Sequence, residues 1–327
     1  FLRKLHMPHV SDTSYHAPFW QWNGHVQSIY PSMFRKVDFR YDHRERLELV
    51  DGDFVDLDWH QQNRTQKKLV IITHGLEGDS GRHYVTGMAK IFVAQGWDAL
   101  GWNCRSCSGE PNRLLRFYHH GDANDLRAVI QHAIDTYGYD NIVLVGFSMG
   151  GSLSLRSVGE FPDRVPAAVK KVIGVSVPCD LYASVQALSQ PGNSVYVKRF
   201  LKKLGKKIQE KSIRYADQIS YKGYEQIKTF VEFDNRYTAP LHGYTDALDF
   251  YARASVKPLL PQIQIPVLLI QALNDPFLSE PCIGYEAAAV NPNILLETTA
   301  AGGHCGFMLA GTRETYAERR AIHFANS

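Results

Sequence analysis

The chain has 327 residues, of which 44% are hydrophobic and 21% are charged, and its formal net charge is +3. Such a composition is typical of a globular protein with a sizeable core, and so small a charge gives no reason to expect nucleic acid as a partner. The five cysteines are scattered and odd in number, which predicts free thiols in a reducing, cytoplasmic compartment rather than a disulfide framework.

No stretch of about twenty apolar residues is present, as a membrane-spanning helix would require. The first ten residues, FLRKLHMPHV, lack the apolar core of a secretory signal. The chain begins with Phe1 rather than methionine, which leaves open whether a targeting segment precedes it.

The predicted elements alternate between strands and helices along the chain. Residues 36–42 and 53–59 are expected to form an antiparallel pair ahead of the parallel core. Apolar runs then predict buried strands, because strands covered on both faces are apolar throughout. These runs are residues 69–73, 98–102, 141–145, 172–177, 266–270 and 293–297. Residues 122–137 have the clearest helical pattern, with Asp122 as the expected N-cap and Gly138 as the expected C-cap. The alternation predicts an α/β fold, with a mostly parallel central sheet and helices on both faces.

Cys104 and Cys107 form a C-x-x-C sequence at the end of a predicted strand. A structural zinc site would need a second ligand pair at suitable spacing, and the sequence contains none. Because Gly109 and Pro111 follow closely, a strand-end loop is favoured over a redox motif that opens a helix.

Residues 180–255 break the alternation and contain no convincing strand. We interpret them as a helical cap inserted between a first core part, residues 1–179, and a second, residues 256–327. Within the cap, residues 195–211 form a basic amphipathic helix. Its lysines are expected on the polar face: Lys198, Lys202, Lys203, Lys206 and Lys207. That face could bind an anionic membrane surface, but such faces are more often simply solvated, which is the reading we favour.

Gly146-Phe147-Ser148-Met149-Gly150 matches G-x-S-x-G between a predicted strand and a predicted helix. In this setting the motif indicates a nucleophile elbow, a sharp turn that exposes the serine hydroxyl above the sheet. The strained turn leaves no room for side chains two residues away on either side, which explains the glycines. The alternative is a tight turn in which Ser148 only caps a helix, and the strand-turn-helix setting favours the nucleophile.

A serine nucleophile needs a histidine base and a carboxylate that orients the base. In the order nucleophile, acid, histidine, the best candidates are Asp275, just after a strand, and His304, in a glycine-rich loop after the last strand. Asp180 is the rival acid, although it can instead cap the first helix of the insertion. Other histidines are rival bases that we expect to be surface or structural residues: His74, His83, His119, His120 and His242.

Acyl transfer also requires donors for the negatively charged oxygen of the tetrahedral intermediate. Residues 74–78, His-Gly-Leu-Glu-Gly, follow the strand at 69–73. The backbone N–H groups of Leu76 and Met149 are the predicted donors. The alternative for residues 74–78 is an ordinary glycine turn.

Taken together, these motifs resemble the YheT-like (AB-hydrolase-4) branch of the α/β-hydrolase superfamily. The resemblance runs from about residue 23 to the final helix and is carried by NGHVQSIYP, HGLEG, CSGEPNRLLRFYHHG, GFSMGGS, TAPLHGY, DPF and GGHCGF. It implies an α/β-hydrolase fold with an inserted helical cap, and a triad of Ser148, Asp275 and His304. The family usually has glycine at the position of Ser106, but the proposed chemistry does not require it.

The expected function is therefore serine-dependent hydrolysis of carboxylic esters through an acyl-enzyme, without a metal or organic cofactor. The resemblance implies short- to medium-chain acyl esters as the small-molecule substrates. The same triad could serve an alcohol O-acyltransferase, and a non-catalytic binding protein with this fold is the alternative of another class. Apolar cap residues can line a substrate pocket or form only the core of the cap, and the second is the stronger expectation. They are Phe200, Leu201, Phe230 and Phe233.

Overall fold

The computed structural model describes residues 9–11, 14–62 and 67–327. Residues 1–8 lie outside the described residues. They make up most of the ten-residue N-terminal stretch in which no apolar core of a secretory signal was found. The described strands form one nine-stranded sheet. They are β1 (His9–Val10), β2 (His43–Glu48), β3 (Phe54–His60), β4 (Lys68–Thr73), β5 (Asp98–Asn103), β6 (Asn141–Phe147), β7 (Val169–Val175), β8 (Val267–Ala272) and β9 (Ile294–Thr299).

Within the sheet the strands lie in the order β1-β9-β8-β7-β6-β4-β5-β3-β2. Strand β3 runs antiparallel to both β2 and β5, and the pairs from β5 through β4 to β1 are parallel. The six apolar runs are strands β4 to β9, which confirms the predicted parallel core. Leu69 and Ile71 pack on one face of the sheet and Val70 and Ile72 on the other, which explains why residues 69–72 of β4 are all apolar.

The predicted antiparallel pair is wrong in its first member. Strand β2 starts at His43, after residues 36–42, and it pairs with β3. Two cross-strand ion pairs match this register: Arg44 binds Asp58 at 2.7 Å and Arg46 binds Asp56 at 2.8 Å. Opposite charges on facing strand positions stabilise a pairing that hydrophobic alternation alone does not reveal.

Helices cover both faces of the sheet. The helices of the described chain are α1 (Gly24–Phe34), α2 (His83–Val93), α3 (Asn124–Tyr137), α4 (Met149–Gly159), α5 (Leu181–Leu188), α6 (Ser194–Arg214), α7 (Phe230–Phe233), α8 (Ala239–Leu241), α9 (Ala247–Ala254), α10 (Tyr285–Val290) and α11 (Tyr316–Asn326). Apolar side chains of α2 and α11 join the core on one face, and those of α3, α4 and α10 join the core on the other. Among these helices, none has the length and apolar character needed to span a bilayer.

Helix α3 agrees with the predicted pattern at its end but not at its start. Gly138 is the C-cap, with a left-handed φ of 69°, as expected. The N-cap is Ala123 rather than Asp122. The Asp122 carboxylate instead accepts the N–H of Asn124 at 2.9 Å and forms an ion pair with Arg116, so it lies just outside the helix.

A helical cap is inserted between β7 and β8. It comprises α5 to α9, with a π-helical turn, Asp234–Thr238, joining α7 to α8. The cap has a hydrophobic cluster of its own, distinct from the two cores of the sheet. The exact division of the chain at residues 180 and 255 stays a prediction.

Candidate active site

Ser148 occupies the sharp turn between β6 and α4, with φ 55° and ψ −121°. For a residue with a side chain this backbone conformation is strained, as a nucleophile elbow requires. A Cβ on Gly146 would lie 2.2 Å from the carbonyl oxygen of Gly150, and one on Gly150 would lie 2.2 Å from that of Thr73. The flanking glycines are therefore required by close backbone approach, as the sequence motif indicated.

Asp275 and His304 are brought together from the loops after β8 and β9. The Nδ1 atom of His304 lies 2.8 Å and 3.1 Å from the two carboxylate oxygens of Asp275. The Asp275 side chain is fully buried, and one of its oxygens also accepts the N–H of Phe277 at 2.8 Å. These contacts fix the direction in which the imidazole points.

Burial and the carboxylate act on His304 in opposite directions. Burial disfavours the charged ring, but the Asp275 carboxylate, together with Cys305, outweighs burial and raises the pKa of His304 from 6.5 to about 10. The raised pKa means that Asp275 strengthens the ring as a proton acceptor and stabilises the imidazolium once it forms.

Ser148 and His304 line the same two cavities. Within the part of the chain that the structure describes, no hydrogen bond joins the Ser148 hydroxyl to His304. Because Asp275 occupies Nδ1, Nε2 is the ring nitrogen left for the serine proton. In enzymes without substrate, catalytic hydrogen bonds are often long and tighten when substrate binds.

The loop that carries His304 is held by helix α1, which the sequence reasoning did not single out as part of the site. The backbone N–H of His304 donates to the Ser28 hydroxyl at 2.7 Å, and that of Gly302 donates to Gln27 Oε1 at 2.7 Å. Both α1 residues lie in the NGHVQSIYP stretch, which was the available signal. Helix α1 thus fixes the position of the proposed base.

The turn after β4 presents one unoccupied backbone donor. The N–H of Gly75 donates to the Tyr84 hydroxyl at 3.2 Å, and that of Glu77 donates to the Tyr118 hydroxyl at 2.9 Å. Among the described residues the N–H of Leu76, between them, has no acceptor, and Leu76 lines both cavities with Ser148. The N–H of Met149 opens helix α4 and so has no acceptor within that helix. This arrangement fits the predicted pair of oxyanion donors.

Glu77 ties this turn to the cap. Its carboxylate accepts hydrogen bonds from the Tyr118 hydroxyl at 2.6 Å and from Lys207 Nζ at 2.7 Å. Its backbone carbonyl accepts one from Lys203 Nζ at 2.8 Å. The expectation of a solvated basic face on α6 is therefore wrong for Lys203 and Lys207. It is right for the exposed lysines of that face, Lys198, Lys202 and Lys206.

The rival acid and bases have structural environments. Asp180 N-caps α5 and accepts the N–H of Ala183 at 3.0 Å. His74 is buried, with Nδ1 2.8 Å from the Gly75 carbonyl and Nε2 accepting the N–H of Cys104 at 3.1 Å. Burial lowers the pKa of the remaining rivals below its ordinary value: His83, His119, His120 and His242. Only His304 among the candidate bases forms an ion pair with a carboxylate in the described chain.

An apolar cavity extends from Ser148 into the cap. Its lining includes apolar side chains of four cap helices: Leu181, Val185, Leu188, Phe200, Leu204, Ile208, Phe230, Phe233, Phe250 and Tyr251. The expectation that the cap aromatic residues form only its own core is thus wrong for Phe200, Phe230 and Phe233. It holds for Leu201, which is buried in the cap cluster and does not line the cavity.

Cys104 and Cys107 lie in a loop directly after β5, as predicted, and both are free thiols. In the family's glycine position, Ser106 adopts a left-handed φ of 61°, and its hydroxyl donates to Asn112 Oδ1 at 2.6 Å. A left-handed φ is the backbone conformation that glycine adopts most readily. In the described ranges no three or more His, Cys, Asp or Glu residues are grouped so that they could hold a metal ion.

A model of the alpha/beta hydrolase fold family matches residues 68–310, about the full span from β4 to the loop after His304. The chain is an α/β-hydrolase. This hydrolase is 32% identical to the putative esterase YheT of Escherichia coli, over 88% of this chain and 84% of that protein. It is 29% identical to the mouse phospholipase ABHD3, over 93% of this chain and 75% of that one.

These similarities place the hydrolase in the YheT-like branch, among hydrolases of the esterase and lipase type. Among solved structures, an esterase of Pyrococcus furiosus, Pf2001, superposes with a TM-score of 0.60 at 17% identity. The match covers 88% of this chain and 91% of that chain, and at such low identity it shows the fold alone.

Proposed function

We propose that the protein is a serine-dependent carboxylic ester hydrolase that acts on short- to medium-chain acyl esters through an acyl-enzyme. The observation that carries the proposal is the buried Asp275 carboxylate bound to His304, which lines the same cavity as Ser148 on its strained turn. Similar proteins bear the names esterase, phospholipase and monoacylglycerol lipase, which supports an ester as the substrate.

In the first half of the reaction, the Ser148 hydroxyl attacks the ester carbonyl while Nε2 of His304 takes its proton. Asp275 stabilises the imidazolium that forms. The N–H groups of Leu76 and Met149 donate to the developing oxyanion. Collapse of this intermediate breaks the bond to the alcohol, and His304 returns the proton to the alcohol as it leaves.

In the second half, water replaces the alcohol. His304 takes a proton from the water, the hydroxide adds to the acyl-serine carbonyl, and Ser148 leaves with the proton as the carboxylic acid is released. The apolar cavity supports an acyl chain as its occupant, because burying methylene groups against cap side chains is favourable.

Replacing Ser148 by alanine tests the proposal. We expect turnover of p-nitrophenyl butyrate to fall by roughly 10⁴-fold or more, since the nucleophile is lost. The matched control is Ser152→Ala, one turn along α4, because the Ser152 hydroxyl is buried without a hydrogen-bond partner in the described chain. Near-normal turnover in Ser148→Ala, with folding verified by circular dichroism, would refute the assignment.

A further inference from the structure

A second cavity also reaches Ser148 and His304, and three cationic side chains line it alongside the carboxylate of Glu77. Its lining includes Arg82 from the start of α2 and Arg199 and Lys203 from cap helix α6. Glu77 lines both cavities, and its carboxylate is ion-paired with Lys207, which lines only the apolar one. The two sides of the proposed nucleophile therefore differ in chemistry.

In the described chain the three cations of this second cavity form no ion pair. Arg82 donates to the hydroxyl of Ser32 at 2.9 Å, and Lys203 donates to the backbone carbonyl of Glu77 at 2.8 Å. Both acceptors are neutral. Arg199 is exposed and has no hydrogen bond within the described ranges. Three positive charges thus face one cavity without a carboxylate bound to any of them.

The electrostatic consequences are visible at two neighbouring groups. Burial lowers the pKa of Lys203, and the positive charges of Arg82 and Arg199 lower it further, against an opposing effect of Glu77 and Asp79. Burial, assisted by Arg35 and Arg82, lowers the pKa of His83 to about 3. Glu77, which lines the cavity, and Asp79, which does not, are both already engaged. Glu77 binds Lys207, and Asp79 accepts the N–H of Gly81 at 2.9 Å.

We propose that this cationic cavity, formed by Arg82, Arg199 and Lys203, binds the alcohol half of the substrate, and that this alcohol carries a phosphate group. The proposal rests on the proposed function, because it assigns the leaving-group side of the same site. With the carbonyl at Ser148 and the acyl chain in the apolar cavity, the alcohol is directed to the other cavity. A phosphate, with several oxygens and more than one charge, satisfies three separate cations better than a carboxylate does.

The phosphate takes no part in bond making. The ester bond breaks between the carbonyl carbon and the alcohol oxygen, His304 supplies the proton, and the phosphate-bearing alcohol leaves intact. The cations stabilise its binding and keep the reacting carbonyl over Ser148.

The test compares two esters with the same acyl chain, one of glycerol and one of glycerol 3-phosphate. We expect wild type to prefer the phosphate ester in kcat/KM. Because Arg199 is exposed, Arg199→Gln should reduce that preference by roughly three- to fivefold. The half-buried Arg82 should add a further factor of about ten in the double variant Arg82→Gln/Arg199→Gln. Lys202→Gln is the matched control, since Lys202 is exposed on the same helix and lines neither cavity.

Turnover of the neutral ester reports the proposed function separately, and it should be unchanged in the control variant Lys202→Gln. Equal preferences in Arg199→Gln and Lys202→Gln, or an equal loss on both esters, would overturn the inference. If neither ester is cleaved, the proposed function fails. Calorimetric binding of glycerol 3-phosphate to Ser148→Ala then decides: binding that Arg199→Gln weakens supports the cavity assignment, and no binding overturns it.

The physical form of the substrate, in solution or in a membrane, distinguishes the two possible sources of the phosphate group. If a short-chain acyl ester of glycerol 3-phosphate is cleaved as a monomer in solution, the substrate is a soluble ester of a phosphate-bearing alcohol. Cleavage of the acyl ester only when this substrate is embedded in vesicles of ether-linked lipid, which has no ester bond of its own, indicates a membrane lipid. Both results support the shared chemistry, whereas a preference for the neutral ester in both forms contradicts it.

Discussion

Replacing Lys207 by methionine should expose the strength of the link between the cap and the oxyanion turn. The Lys207 and Glu77 side chains are 13% and 5% exposed, and their charged atoms lie 2.7 Å apart. Removing one partner of a buried ion pair costs roughly 3–5 kcal/mol, because the other charge is left uncompensated. Since Tyr118 still donates to Glu77 and Lys207 keeps some exposure, we expect about 3 kcal/mol, the lower end of that range.

Urea unfolding measures this change in the free energy of unfolding. Lys206→Met is the matched control, because Lys206 is the exposed neighbour on the same helix, and we expect its effect to stay within about 0.5 kcal/mol. The double variant Glu77→Gln/Lys207→Met removes both charges and should recover part of the loss. Equal unfolding midpoints for Lys207→Met and Lys206→Met would refute the reasoning.

The same variant has a kinetic prediction. Because Glu77 follows Leu76 directly, loosening Glu77 should misplace a donor that acts on the transition state. We therefore expect kcat to fall more than KM rises in Lys207→Met. A change confined to KM would indicate that the ion pair acts on substrate binding instead.

Further predictions concern the triad and the elbow. The reaction needs neutral His304, so the raised pKa of this ring means that kcat/KM should rise with pH above pH 6.5. In Asp275→Asn the midpoint of that rise should move towards pH 6.5 while the rate falls. An unchanged pH profile would argue against the Asp275–His304 pair. Gly150→Ala should destabilise the fold by roughly 1–3 kcal/mol or more in thermal unfolding, because the added methyl group meets the Thr73 carbonyl; an unchanged melting temperature would contradict the packing argument. Asp180→Ala should cost about 1 kcal/mol through the lost N-cap and leave turnover intact, whereas a loss of activity would revive Asp180 as the acid.

The parallel core could be predicted because burial on both faces leaves a direct trace in the sequence. Residues 69–72, LVII, contain no polar position, so their strand type followed from composition alone. The partner of β3 could not be predicted in the same way. Its register is marked by pairs such as Arg44 with Asp58, and a sequence pattern does not show which charges face each other across strands.

Part of the candidate site could likewise be predicted from the sequence, and part could not. Ser148, Asp275 and His304 follow strand ends, so local motifs and chain order were enough to propose them. The contacts that hold the site come from distant segments with no chemical motif. Ser28 on α1 binds the His304 loop, and Lys207 on α6 binds Glu77. Such tertiary contacts appear only once the chain has folded.

Mass spectrometry of an acyl-enzyme tests the central claim most directly. When the protein is mixed with p-nitrophenyl butyrate and quenched within the first turnovers, the account predicts a butyryl adduct on the peptide that contains Ser148. A burst of p-nitrophenol should accompany it. Full turnover with no adduct on that peptide, or with an adduct on another residue, would contradict the account.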